Sequence, residues 1–141
     1  MRLAPFPEPA EELYGATVNG KMYVLGGYGE RIGKVFEYDP ASDRWTKKKT
    51  MQVPVHHQAM VPYNGKLYVI GGRIGHAFVT VSNLWSAMLS MPMPRHGVAG
   101  AVIGNRFHLV SGQITSAPAG GGLDPGLSLY TGLHDAIDLP R

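Results

Sequence analysis

One stretch of this chain returns twice. Phe6–Gly27 (FPEPAEELYGATVNGKMYVLGG), Met51–Gly72 (MQVPVHHQAMVPYNGKLYVIGG) and Met91–Gly112 (MPMPRHGVAGAVIGNRFHLVSG) align without a gap from end to end. The copies begin at Phe6, Met51 and Met91, so the period is nearly constant. Pro9, Pro54 and Pro94 coincide, as do Gly27, Gly72 and Gly112. Trp45 and Trp85 each stand the same distance ahead of the next copy. Such a period constrains the fold more than any other feature, because each unit must bury its apolar face against the next.

Each copy reads as β-structure. Lys21–Leu25 and Lys66–Ile70 are built around Tyr and Val, which suit a pleated surface. Asn19-Gly20 and Asn64-Gly65 are two-residue hairpin turns, because both positions favour positive φ. The predicted hairpins are Leu13–Val18 with Lys21–Gly26, His57–Tyr63 with Lys66–Gly71, and Val98–Ile103 with Arg106–Ser111. A third strand follows at Val35–Asp39, and a fourth carries the tryptophan at Arg44–Lys48 and Leu84–Met88. Four short antiparallel strands in each repeat is the pattern of a propeller blade.

Composition agrees and excludes several classes. Charged residues are 16% against roughly 25% in an average domain, and hydrophobic residues are 44%, so the chain is not disordered by composition. The 19 glycines and 11 prolines imply many turns and few long helices. Without cysteine there are no disulfides, cysteine–zinc sites or thiol chemistry, and the compartment stays open. No apolar run approaches the roughly 20 residues of a membrane-spanning helix. The proline-rich Met1–Glu12 has no apolar core and does not read as a signal peptide.

Gly26-Gly27 followed by Tyr38 and Trp45, and Gly71-Gly72 followed by Trp85, resemble kelch repeats, over nearly the whole chain. The first repeat matches best. The second has lost the Tyr38–Pro40 step, and its run from Gly72 to Trp85 is shorter than that from Gly27 to Trp45 in the first. The third keeps Gly112 but has Ser111 in place of the other glycine. Taking Pro140 as the counterpart of Pro40 makes the loop after its second strand more than twice as long as in the first. The resemblance implies an all-β kelch-type β-propeller segment of about three four-stranded antiparallel blades, the last incomplete. The chain is then one domain, 1–141, with repeats at about 6–50, 51–90 and 91–141. Gly26, Gly27, Gly71, Gly72 and Gly112 are expected to let strands approach closely, and Trp45 and Trp85 to pack between adjacent blades.

Closure is the open question. Propellers close with about 4–8 blades, and this pattern supplies two sets of four strands and one of three, 11 in all. The innermost strands are expected side by side, and the third blade to lack its outermost strand unless Met1–Pro5 or another chain supplies it. A bare edge is a liability for a lone monomer. The chain is therefore expected to be completed by further blades of a longer chain or by self-association.

In the resembling family, ligands meet the face built from loops entering the innermost strands and loops after the second strands. The first group maps to Pro7–Leu13, Pro54–Gln58 and Pro94–Val98, the second to Tyr28–Lys34, Arg73–Phe78 and Gln113–Leu133. The register puts Glu11, His56 and His96 at one equivalent position, flanked by His57 and Arg95. With Arg73 these form the expected ligand-binding rim. Imidazoles and a carboxylate can bind a metal, but ligands near 2.0–2.2 Å from one ion are not expected from separate blades. A hydrogen-bonded rim is preferred, and no metal, cofactor or catalytic residue is assigned. Lys47–Lys49 reads as a solvated outer edge; no aromatic stacking set accompanies it, so neither nucleic acid nor membrane is an expected partner.

Enzymes of the resembling family set tests. A galactose-oxidase-like copper radical site needs a tyrosine–cysteine crosslink, and cysteine is absent. The Glu-x-x-x-Asp-x-x-x-His iron pattern of plant specifier proteins is absent too. No nucleophile with a paired base stands out by spacing. The main reading is an interaction module binding a protein or small polar ligand on one loop face. The alternative is part of a carbohydrate-active enzyme, a sugar epimerase or isomerase, with catalytic residues partly outside this chain.

Overall fold

The computed structural model describes residues 1–27, 30, 32–51, 57–72, 76–81, 84–88, 91, 93–115 and 128–141. It is all-β, with no α-helix among these residues. Strands β1 (Leu13–Val18), β2 (Lys21–Gly26), β3 (Lys34–Asp39) and β4 (Arg44–Lys47) form one antiparallel sheet in that order. β5 (Gln58–Tyr63), β6 (Lys66–Gly71), β7 (His76–Val81) and β8 (Leu84–Ala87) form the second. The third holds β9 (Ala99–Ile103), β10 (Arg106–Val110) and β13 (His134–Asp138), ordered β13-β10-β9. The hairpins expected from the sequence are all present, with bounds shifted by at most one residue. Their turns explain why: Asn19 and Gly20 take φ of 51° and 74°, and Asn64 and Gly65 take 46° and 72°, the type I′ geometry that matches strand twist.

The described strands number 13 rather than the expected 11. The extra pair, β11 (Gln113–Thr115) and β12 (Ser128–Tyr130), is a small ribbon within the insertion of the third repeat. Pairing corrects the proline alignment by one residue. Ile137 lies opposite Phe107 as Tyr38 lies opposite Met22, so the insertion is one residue shorter than Pro140 implied.

The innermost strands stand side by side, with β5 between β1 and β9. Two apolar layers hold the sheets together. Leu25 and Val35 of the first sheet meet Val69 and Trp85 of the second around Met51. Tyr68 and Ile70 of the second meet Phe107 and Leu109 of the third around Met91. β6 is thus covered on both faces, and Leu67–Ile70 are at most 1% exposed. That is why its sequence is a continuous apolar run, whereas β13 alternates exposed and half-buried positions.

The tryptophans repeat a backbone contact. Trp45 Nε1 donates to Ala4 O at 3.1 Å, and Trp85 Nε1 donates to Lys49 O at 2.9 Å. Ala4 and Lys49 each stand two residues before a copy begins, so each tryptophan clamps the segment entering its own blade. Trp85 packs between blades. Trp45 differs: its ring lies on Phe6 and Tyr38 of the first blade, with centroids 5.0 Å away in both cases. The lysine run is also more engaged than a solvated edge. Lys48 Nζ is 3.2 Å from the buried Glu37, and Lys47 Nζ is 3.6 Å from Glu8. Burial raises the Glu37 pKa, but hydrogen bonds from Tyr23, Lys48 and Lys21 outweigh it and hold the carboxyl below its ordinary value. Burial and that same contact push Tyr23 up to about 12.

Met1–Pro5 does not complete the third blade. It is held on the first, where Ala4 N also donates to Asp43 Oδ1 at 2.9 Å. Among the described residues β13 pairs only with β10, and its outer edge is bare.

Candidate functional site

The innermost strands all begin at one end of their sheets, level with the ends of β2, β6 and β10. At the entry to each inner strand the backbone turns through the left-handed region. Glu12, His57 and Gly97 occupy one column of the repeat, and their φ angles are 58°, 57° and 65°. The left-handed bend turns the entering segment over the rim. It brings Glu12 O to Gly27 N at 3.2 Å, and at Gly26 a Cβ would stand 2.5 Å from that same oxygen. The diglycine therefore serves close packing of backbone.

The side chains of this column meet across blades. His57 Nε2 lies 2.8 Å from Glu12 Oε2. The His57 and His96 rings are 5.6 Å apart with 34° between their planes. His57 O accepts from Gly97 N at 2.8 Å, tying the second rim segment to the third. His96 exchanges two backbone hydrogen bonds with Gln113 at 2.8 and 3.1 Å. That bridge seats the β11–β12 ribbon at the rim, where Leu129 and Tyr130 are 68% and 85% exposed. Next to His57, the Gln58 side chain is buried, and its amide nitrogen and oxygen have no hydrogen-bond partner among the described residues. Its counterparts in the other copies are Leu13 and Val98, so an amide has replaced an apolar residue here alone.

The expected rim residues divide. His57 and His96 are brought together, and Glu11 is exposed two residues before β1. His56 and Arg73 lie outside the described residues. Arg95 is turned inward: its side chain is 0% exposed. Its Nε donates to Ser111 O at 2.8 Å, Nη2 to Leu109 O at 3.2 Å, and Nη1 to Asp135 Oδ2 at 2.6 Å. That guanidinium is engaged inside the third blade rather than projecting from the rim. Glu12 and Gln58 were missed. The signal for Glu12 was present, since its column holds a glycine at Gly97, the residue that marks a positive φ. Among the described residues no three potential ligands gather around one point, at the rim or elsewhere.

Comparison with known proteins agrees with this architecture. The family model described as the Kelch motif matches residues 15–52. Alpha-scruin of Limulus polyphemus is 32% identical over 123 residues, covering 75% of this chain and 13% of its own. Kelch-like protein 23 of Homo sapiens is 30% identical over 111 residues, covering 70% of this chain and 20% of its own. The chain thus spans only a minor part of these relatives' length. The solved structure of YjhT superposes with a TM-score of 0.71 at 21% identity, over 79% of this chain and 47% of that one, a likeness of fold. Repeat, sheet topology and relatives converge: the chain belongs to the kelch-repeat β-propeller family.

Proposed function

We propose that this chain is an interaction module whose rim binds a polar segment of a partner protein, or a small polar ligand. The observation that carries the reading is the Glu12–His57 pair, 2.8 Å apart and bridging two blades, with both residues in the left-handed region. Neither is glycine, so each position costs about 1–2 kcal/mol that a simple structural role would not demand. Strain of this kind gathers at sites that present side chains. The buried Gln58 amide supports the reading, because an unmatched donor and acceptor cost about 1–3 kcal/mol unless a ligand or water meets them. The exposed Tyr130 beside the rim adds a rigid amphipathic contact of the type enriched in interfaces.

Selection of a displayed random-peptide library against the immobilised chain tests the proposal. Enriched peptides should bind the parent, lose at least tenfold with His57→Ala, and be indifferent to Lys66→Ala at the opposite end of β6. Equal loss with both variants, or no enrichment over a blank surface, overturns it. A carboxylate–imidazole pair also suits proton transfer. Turnover of a reducing sugar that is lost with His57→Ala would move the reading to the carbohydrate-active alternative.

A further inference from the structure

The third sheet carries a second pair of imidazoles, remote in sequence from the rim column. His108 lies in the middle of β10 and His134 opens β13. His108 is paired opposite Ala136 and His134 opposite Val110, so the two rings are diagonal neighbours on one face. Nδ1 of His108 stands 3.0 Å from Nε2 of His134, with ring centroids 5.2 Å apart. The contact is exposed to solvent.

In the metal-free chain the two nitrogens share a hydrogen bond, one ring donating to the other, and the same separation suits a chelate once that proton is displaced. Two imidazole nitrogens each 2.0–2.1 Å from one ion, subtending about 95–110°, stand about 3.0–3.4 Å apart. The residues directly opposite His108 on both flanking strands are alanines, Ala101 and Ala136, which leave room for an ion and its water. The neighbouring charges are matched to each other, since Arg106 Nε lies 2.6 Å from Asp138 Oδ1. The pair is also a departure from the repeat. His108 replaces Tyr23 and Tyr68 of the other copies, and by strand register His134 replaces Val35 and Ala77. Two unrelated columns have changed to histidine, and the fold puts the two changes in contact.

We propose that His108 and His134 form a two-histidine site for a late first-row divalent cation such as Zn2+, Cu2+ or Ni2+, with water completing the coordination. Imidazole is the preferred donor for these ions. The bound ion links β13 to β10. β13 is held along one edge only among the described residues, so the strand that gains most from a cross-strand link is the one that carries half of it. An ion bound by the folded state alone stabilises it by mass action.

Zinc chloride titrated into the metal-free, nitrogen-15-labelled full chain tests this through long-range proton–nitrogen correlations of the rings. Nδ1 of His108 and Nε2 of His134 should shift together and saturate at one equivalent. His108→Ala and His134→Ala should each weaken zinc binding at least tenfold. Zinc should raise the melting temperature of the parent and leave that of either variant unchanged. Shifts confined to other histidines, or single variants that bind zinc as tightly as the parent, overturn the proposal. A parent whose two rings respond while its melting temperature does not would overturn the link between strands.

Discussion

Glu12 and His57 sit where the chain bends left-handedly into an inner strand, and in the third copy the same bend is made by Gly97. Glycine adopts that backbone without the side-chain clash that costs other residues roughly 1–2 kcal/mol. The Glu12–His57 contact offsets little of it, because the two side chains are 36% and 25% exposed and even a full ion pair at such a surface is worth about 0–1 kcal/mol. Each glycine also adds about 0.5–1 kcal/mol of unfolded-state entropy, so the double variant Glu12→Gly, His57→Gly should melt at or slightly above the parent's temperature, a net gain of about 1 kcal/mol. Its affinity for library-selected peptides should fall at least tenfold. A clear drop in melting temperature would show that these side chains stabilise the bend rather than burden it. The column was half legible in the sequence. Histidines and a carboxylate at equivalent positions marked the rim, but the meeting pair lies one residue further on, because only the bend decides which side chain turns inward.

At the scale of elements, β6 and β13 are opposites. β6 is sandwiched between two sheets, with Leu67–Ile70 at most 1% exposed, while β13 has one hydrogen-bonded neighbour among the described strands. Arg95 holds β13 from inside through Asp135 and fastens the end of β10 through Leu109 O and Ser111 O. Truncating one partner of such a buried pair typically costs about 3–5 kcal/mol. Arg95→Ala should sit at the low end of that range, about 3 kcal/mol in urea unfolding, since Asp135 keeps 31% of its side chain in solvent. Hydrogen exchange should locate the loss: β13 and β10 amides should exchange much faster, and β6 amides should change least. Uniform acceleration across all three sheets would instead mean that the blades unfold as one unit. The sequence showed Arg95 only as a cation beside a histidine. Its burial follows from the Asp135 carboxylate, distant along the chain, which pairing of β13 with β10 brings near.

The whole molecule has two unlike flanks. On the first blade Leu13 and Met22 are each 38% exposed; on the third Ile103 and Val110 are 67% and 40% exposed. In the second repeat the counterparts of Leu13, Met22 and Val110 are Gln58, Leu67 and Ile70, at most 1% exposed because another sheet covers them. A few hundred Å² of apolar surface left in water forfeits several kcal/mol at roughly 25 cal/mol per Å². That is a large share of an ordinary domain's roughly 5–15 kcal/mol. The chain in isolation should therefore show a concentration-dependent rise in mass by sedimentation velocity. Met22→Lys should suppress it while costing little stability, the position being exposed. A cooperative monomer at every concentration would count against association through these flanks.

The sequence by itself determined the repeat, the bounds of the three hairpins and of the tryptophan strands to within a residue, the hairpin turns and the family, but not β7, β13 or the β11–β12 ribbon. The determined features rest on local rules: alternation along a strand, and the positive φ that Asn-Gly pairs favour, each written within a few residues. It also marked which end of the blades carries the histidines, because a fixed period carries one position onto its equivalents. Tertiary structure alone decided that Arg95 faces inward, that Glu12 reaches His57, and that His108 meets His134. Each of these joins residues far apart in the chain through strand pairing or blade packing. Such contacts depend on register and twist to within a fraction of a bond length, and no local pattern of residues encodes that distance.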